Sequence, residues 1–201
     1  MNVIECSSLS KNYGRKKALC GMSAEIYENK ITGLIGRNGA GKTTFLKIAA
    51  GFLKSTSGDI CVFSENPFNS LKVSANLIFI DDGMKFPLSI CISDIIESAG
   101  SFYKNFDMSL AKALLDYFGL DPIECHKNLS KGMKSTFNSI LGIAARCALT
   151  IFDEPTNGMD AAVRRDFYRA LLKDYVEFPR SIIISSHHLN EIEDILEDVL
   201  L

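Results

Sequence analysis

Apolar and polar positions along this chain fall in blocks whose period changes several times. The first 30 residues alternate and turn: "NVIECSSLSKNYG" and then "KALCGMSAEIYENK" predict short antiparallel strands joined at Tyr13–Gly14. Compact apolar runs follow. "KITGLIG" (Lys30–Gly36), "ANLIFI" (Ala75–Ile80), "CALTIF" and "RSIIISS" read as buried strands, several ending in polar residues, and "SGDICVF" reads as another strand. Helical spacing appears in "KTTFLKIAAGF", with Gly51 near its C-cap, and in "STFNSILGIAAR". It also appears across Ile92–Phe118, and in "AAVRRDFYRALLKDYVEF", where Val163, Phe167, Ala170, Leu171 and Asp174 share a face. Strands alternating with helices predict an α/β fold with a mainly parallel sheet. The helical stretch from about residue 90 to 140 interrupts that alternation. One domain is therefore expected, with a core of residues 1–85 and 141–201 and a helical subdomain over about 86–140.

Composition narrows the function classes. The 201 residues carry a net charge of −2, so the basic excess of a nucleic-acid surface is absent. None of the cysteines, Cys6, Cys20, Cys61, Cys91, Cys125 and Cys147, forms a C-x-x-C pair, and they read as reduced, buried thiols of a cytosolic protein. No signal peptide is read in "MNVIECSSLS". The longest apolar stretch, "SILGIAARCALTIF", is broken by Arg146 and is too short to span a bilayer. Work at a membrane would need another chain to supply the membrane part.

The chemistry concentrates in a few segments. "GRNGAGKTT" runs from Gly36 to Thr44, and Gly36, Gly41, Lys42 and Thr43 fit G-x-x-x-x-G-K-[ST] between a strand and a helix. Glycines let backbone wrap a phosphate, and N–H groups converge at the helix start. Arg37, Asn38, Gly39, Ala40 and Thr44 complete this candidate phosphate loop. Lys42 is suited to the β- and γ-phosphates and the Thr43 hydroxyl to Mg²⁺. "ALTIFDEPTNGMD" delivers Asp153 and Glu154 at the end of a buried strand. Asp153 can hold Mg²⁺, and Glu154 can take a proton from an attacking water. "RSIIISSHH" brings His187 or His188 to another strand end.

With these segments the chain resembles the ATP-binding cassette (ABC) ATPases, the nucleotide-hydrolysing subunits of ABC transporters. The resemblance covers nearly the whole chain and rests on "GRNGAGKTT", "LSKGMK", "IFDEPTNGMD" and "IIISSHHLNEIE" in that order. It implies a P-loop NTPase core with an N-terminal antiparallel β subdomain and an inserted helical subdomain. It also implies ATP and Mg²⁺ as ligands and a head-to-tail dimer of ATPase subunits. A separate integral membrane subunit and a cytoplasmic site at the membrane face belong to the same expectation. "LSKGM" matches the family signature, usually LSGGQ, with Lys131 and Met133 as departures. In the family this turn caps the γ-phosphate held by the other subunit. Ser130 would then offer its hydroxyl and Gly132 bare backbone; the competing reading is a helix cap by Ser130, which leaves Gly132 unexplained. Lys131 either adds charge attraction or sits in solvent.

Other family roles map singly. Tyr13 in "KNYG" resembles the aromatic that stacks on adenine, a core tyrosine being the alternative. Asp160 resembles a residue communicating across the dimer. His187 resembles the switch histidine, with His188 a neighbour lacking that role. Where the family carries a glutamine that touches Mg²⁺, this chain reads "DDGMKFP"; alignment places Asp82 there, or Asp81 if the register slips by one. A carboxylate still suits the metal but puts the hydrolysis rate in question. After the switch histidine the family continues with further strands, whereas this chain reads only to "EDVLL", with Leu200 and Leu201 the start of a strand. A shortened module is the expectation, whether cut or naturally short. "SKGMK" and "DEPTNGMD" look most like bacterial exporters. A ribosome- or DNA-linked ABC ATPase is the second reading and a small P-loop kinase the third.

Overall fold

A computed structural model describes residues 1–187 and 189–201, the side chain of Glu191 excepted. His188 therefore lies outside the described residues. Strands β1 (Asn2–Tyr13), β2 (Lys16–Tyr27) and β4 (Ser57–Val62) form an antiparallel sheet in the order β2-β1-β4. Strands β3 (Ile31–Ile35), β5 (Leu77–Ile80), β6 (Leu149–Asp153), β7 (Ser181–Ser186) and β8 (Asp198–Leu200) form a parallel sheet in the order β5-β6-β7-β3-β8. The strand read at Leu200 is thus present, paired to β3. The helices are α1 (Lys42–Ala49), α2 (Leu71–Asn76), α3 (Ile92–Phe102), α4 (Met108–Tyr117), α5 (Lys131–Ala144) and α6 (Ala161–Glu177).

β3, β5, β6 and β7 are largely apolar on both faces because both faces are covered, whereas the edge strand β8 has no buried residue. Along β5, Ile78 and Ile80 point into one core and Leu77 and Phe79 into the other. Along β7, Ile182 and Ile184 join the first core and Ile183 the second, all fully buried. The first core lies against α3, α4, α5 and α6. The second lies against α1 and the antiparallel sheet. Each fully buried isoleucine contributes about 1.5–3 kcal/mol relative to exposure.

Several elements differ from their sequence reading. Ala75 and Asn76 end α2 and do not begin β5, because Ser70 caps that helix by accepting from the Val73 N–H at 3.2 Å. α5 continues through residue 140, so the division expected there falls inside a helix. Asp174 does sit on the inward face of α6, held by Arg146 (Nη2 at 2.6 Å) and Arg180 (Nη1 at 2.8 Å). Arg146, read as a break in an apolar run, also reaches Asp107 at 2.9 Å. The thiols are free, but only Cys6 and Cys147 are buried. Cys20 and Cys61 face outward on the antiparallel sheet, and Cys91 and Cys125 are half-buried.

α5 is buried from Ser135 to Ala144, polar residues included. Its polar side chains tie down loops. Ser135 donates to the Asn157 carbonyl at 2.7 Å, and Asn138 Nδ2 donates to the Asp81 carbonyl at 3.4 Å. Asn138 Oδ1 lies 3.3 Å from Nε2 of buried His126, whose ring meets Phe86 and Phe137 edge-on or tilted.

Burial lowers the His126 pKa from its ordinary 6.5, the Asn138 bond opposes this, and Lys134 adds to the lowering. The folded state thus favours the neutral ring, and the unfolded chain binds more protons near and below pH of about 6.5. Stability from this group is complete above the unfolded value and is lost as pH falls toward the folded one. Urea unfolding at pH 7.5 and 5.5 checks this: the wild-type midpoint should fall more on acidification than that of His126→Gln. Parallel losses would remove His126 as the cause.

Candidate functional site: a phosphate loop facing two strand ends

β3 ends at Ile35, and residues 36–41 turn the chain into α1. Gly41 has φ 99°, and a Cβ there would stand 2.5 Å from the Ala18 carbonyl of β2. Only glycine fits both the left-handed backbone and that approach. No side chain caps α1 and no acidic residue lies in its first turn. Its leading N–H groups and positive dipole end thus suit an anion. Arg37, Asn38, Gly39 and Ala40 are exposed, with Ala40 N–H donating to the Arg37 carbonyl at 3.1 Å. Thr43 is exposed and Thr44 half-buried. Lys42 is buried, donating to the Gly36 carbonyl at 2.6 Å and standing 3.4 Å from Glu154 Oε1.

β6 and β7 bring the remaining groups. Asp153 is buried and accepts from Ser185 Oγ at 2.6 Å, while that same oxygen accepts from the Glu154 N–H at 2.9 Å. Ser185 therefore fixes both acidic residues, and the sequence signalled it only as a polar residue at a strand end. Glu154 has φ 50°, a left-handed conformation that costs a non-glycine residue about 1–2 kcal/mol. From it Glu154 places Oε2 3.3 Å from His187 Nδ1. Glu154 thus bridges Lys42 and His187, a carboxylate set between two nitrogen groups at adjoining strand ends.

Tyr13 is 46% exposed, which excludes a core role, and Lys11 Nζ lies 5.4 Å from its ring centre. It sits at the tip of the hairpin whose Ala18 backs onto the phosphate loop.

The "LSKGMK" segment lies elsewhere. Ser130 caps α5, accepting from the Met133 N–H at 3.2 Å. Gly132 has its own reason within the chain: a Cβ there would stand 2.5 Å from the Gly158 carbonyl. Ser130, Gly132, Gly158 and Asp160 line a depression of about 250 Å³. Glu154, Ser185 and His187 line a different one of about 120 Å³. Asp160 caps α6, accepting from the Ala162 and Val163 N–H groups at 2.9 Å.

The two adjacent aspartates diverge. Asp81 pairs with Lys47 at 3.3 Å. Asp82 faces Lys131 at 3.6 Å and accepts from Asn157 Nδ2 at 3.3 Å. Asp82 and Lys131, two of the positions read as departures from the usual family residues, therefore meet each other, a pairing that cannot be seen from the sequence. In "MKFPLSI", Phe86 packs on His126 and Phe137, Leu88 is 72% exposed, and Met84 lines a groove beside α1 and α3.

A parallel strand, a glycine-rich turn and a helix start bearing Lys42, beside acidic residues on a neighbouring strand, define a P-loop nucleotide-binding core. Residues 19–157 match the family described as ABC transporter. The chain belongs to that family, as an ATP-binding domain. It is 32% identical over 191 residues to the ABC transporter ATP-binding protein YtrB of Bacillus subtilis, covering 95% of this chain and 65% of that one. It is 30% identical over 201 residues to the bacitracin transport ATP-binding protein BcrA of Bacillus licheniformis, covering 98% and 65%. The chain thus spans just under two thirds of the length of both relatives. In fold it is similar to a solved ATP-binding subunit of an ABC transporter, with TM-score 0.86 at 20% identity, covering 98% of this chain and 85% of that one.

Gly132→Ala should destabilise the protein by about 1–3 kcal/mol, since its Cβ would overlap the Gly158 carbonyl. Met133→Ala, at an exposed neighbouring position, should cost much less. Denaturant unfolding of both variants checks this, and equal losses would mean the contact is not tight.

Proposed function

We propose that this chain binds ATP with Mg²⁺ and hydrolyses it, powering transport through a separate membrane subunit. The observation that carries the reading is Glu154 held between Lys42 and His187 in front of the uncapped start of α1. The loop N–H groups and Lys42 take the β- and γ-phosphates, and Tyr13 stacks on adenine. Lys42 then exchanges its contacts with the Gly36 carbonyl and Glu154 for phosphate oxygens, which leaves the Glu154 carboxylate able to accept a proton from water. His187 stays within reach of that carboxylate and of the γ-phosphate.

No group of three or more His, Cys, Asp or Glu among the described residues could hold a metal alone. That fits Mg²⁺, which is bound by one or two protein groups together with substrate phosphates. Thr43 and Asp153 are those groups, with Asp82, or Asp81, in the position of the family glutamine. The metal would neutralise charge developing on the phosphates.

Ser130 and Gly132 serve a second copy or a related subunit in a head-to-tail dimer, Asp160 lying beside them. Their depression is not the one that holds Glu154 and His187. No helix among the described residues is long and apolar enough to cross a membrane. The groove lined by Lys47, Phe52, Met84, Lys85 and Phe102, about 610 Å³, receives the membrane subunit. Phe52 and Phe102 are more than 60% exposed there, at 62% and 64%. The chain then works at the cytoplasmic face of the membrane, with the helices from α3 through α5 as its helical subdomain.

Lys42→Ala should nearly abolish ATP binding in calorimetry. Glu154→Gln should bind ATP, hydrolyse it about 10²–10⁴-fold more slowly, and accumulate as a nucleotide-dependent dimer in light scattering. Normal turnover by Glu154→Gln would place the base elsewhere.

ATPase rate against Mg²⁺ concentration separates the two aspartates. Asp82→Asn should shift the Mg²⁺ curve and Asp81→Asn should not. The reverse result moves the register by one residue, and no shift in either excludes both from the metal.

A further inference from the structure

Cys91 and Cys125 are 34 positions apart in sequence and directly opposite in space, an antiparallel bridge outside both sheets. The Ile92 N–H donates to the Glu124 carbonyl and the Ser93 N–H to the Pro122 carbonyl, each at 3.0 Å. The Ile92–Glu124 bond, one position beyond Cys91 and one before Cys125, is the kind that borders a non-hydrogen-bonded antiparallel pair, the closer of the two spacings, in which Cα atoms typically stand about 4.5 Å apart. That lies within the separation a disulfide spans. Both thiols are free and half-buried, and they are close enough to interact. Burial pushes the Cys91 thiol up, and Cys125, Asp94 and Glu124 add to this.

The ends of this bridge matter. Cys91 leads into α3, with its N–H bonded to Asp94 Oδ2 at 3.3 Å. Cys125 leads into the turn His126–Asn128, then buried Leu129, then Ser130 at the start of α5. The nucleotide-binding loop lies in neither segment.

We infer that Cys91 and Cys125 are a reversible oxidation site, closed to an intramolecular disulfide by a small-molecule disulfide such as oxidised glutathione. One cysteine thiolate attacks the small disulfide and expels a thiolate. The second cysteine attacks the resulting mixed disulfide and expels the other. Two protein thiols and one small disulfide become one protein disulfide and two small thiols, and two electrons and two protons pass to the latter. The bond pins the start of α3 to the segment that presents Ser130. In a reducing compartment such bonds are transient and report oxidation.

The site does not depend on the nucleotide chemistry, so its test is separate. The purified protein is equilibrated with oxidised glutathione, its remaining thiols are alkylated, and non-reduced peptides are mapped by mass spectrometry. A Cys91–Cys125 cross-linked peptide is expected, with a thermal midpoint raised by about 5–10 °C. Both should vanish on adding dithiothreitol and in Cys91→Ser, a variant that keeps a small polar residue before α3. Both should persist in a Cys20→Ser, Cys61→Ser double variant, which removes the two exposed cysteines. Stable glutathione adducts on Cys91 or Cys125 without closure would overturn the assignment. So would bridges only between separate molecules. A closed bridge with an unchanged or lowered midpoint would overturn the pinning.

Discussion

A sheet covered on both faces can expose polar chemistry only at the ends of its strands, and the rest of this molecule follows from that constraint. β5, β6, β7 and β3 send alternate side chains into two separate cores. The one charged residue in these four strands is Asp153, the last residue of β6. The loop after β3, the acidic pair at the end of β6 and the histidine after β7 therefore collect at one edge because the strands are parallel and adjacent. At the other edge, Arg146 and Arg180 surround Asp174, so buried charge there is matched within the fold.

α5 connects this edge to the rest of the domain. It is a helix buried along ten residues, Ser135 to Ala144, yet it carries Ser135, Thr136, Asn138 and Ser139. Ser135 and Asn138 are bonded to the loops that follow β6 and β5. The close fit of Gly132 against Gly158 adds a contact between backbones. The start of α5 and the loop between β6 and α6 are therefore set against each other by a backbone contact as well as by the Ser135 side chain.

The parallel sheet and the phosphate loop were legible because they depend on local signals. "KITGLIG" is apolar over a strand length, and Gly41 is demanded by its left-handed backbone and its approach to Ala18. Glu154 and His187 were legible for a similar reason, since each ends an apolar run. Features that depend on meetings between distant segments were not. Gly132 reads in the sequence only as bare backbone for a phosphate, and its close fit against Gly158, 26 positions away, is out of view. Asp174 looked like an ordinary exception on an apolar face, because Arg146 and Arg180 belong to other elements. The cysteines read as uniformly buried because composition carries no information about which side of a strand each one takes. α2 was missed because six residues leave too little periodicity to detect.

Asp82 and Lys131 show what a distant meeting can do to a local electric field. Their side chains are 41% and 67% exposed, so the pair is worth only about 0–1 kcal/mol to stability. Its effect is on potential. Lys127, Lys131 and Lys134 crowd the approach to and first turn of α5, and Asp82 is the carboxylate seated on that lysine row through Lys131. Asp82 thus acts as a trim on a basic surface, lowering its pull on any passing anion. Two positions that look like independent drift in a sequence behave as one electrostatic unit. A change at either resets the field that the turn presents to whatever molecule approaches it.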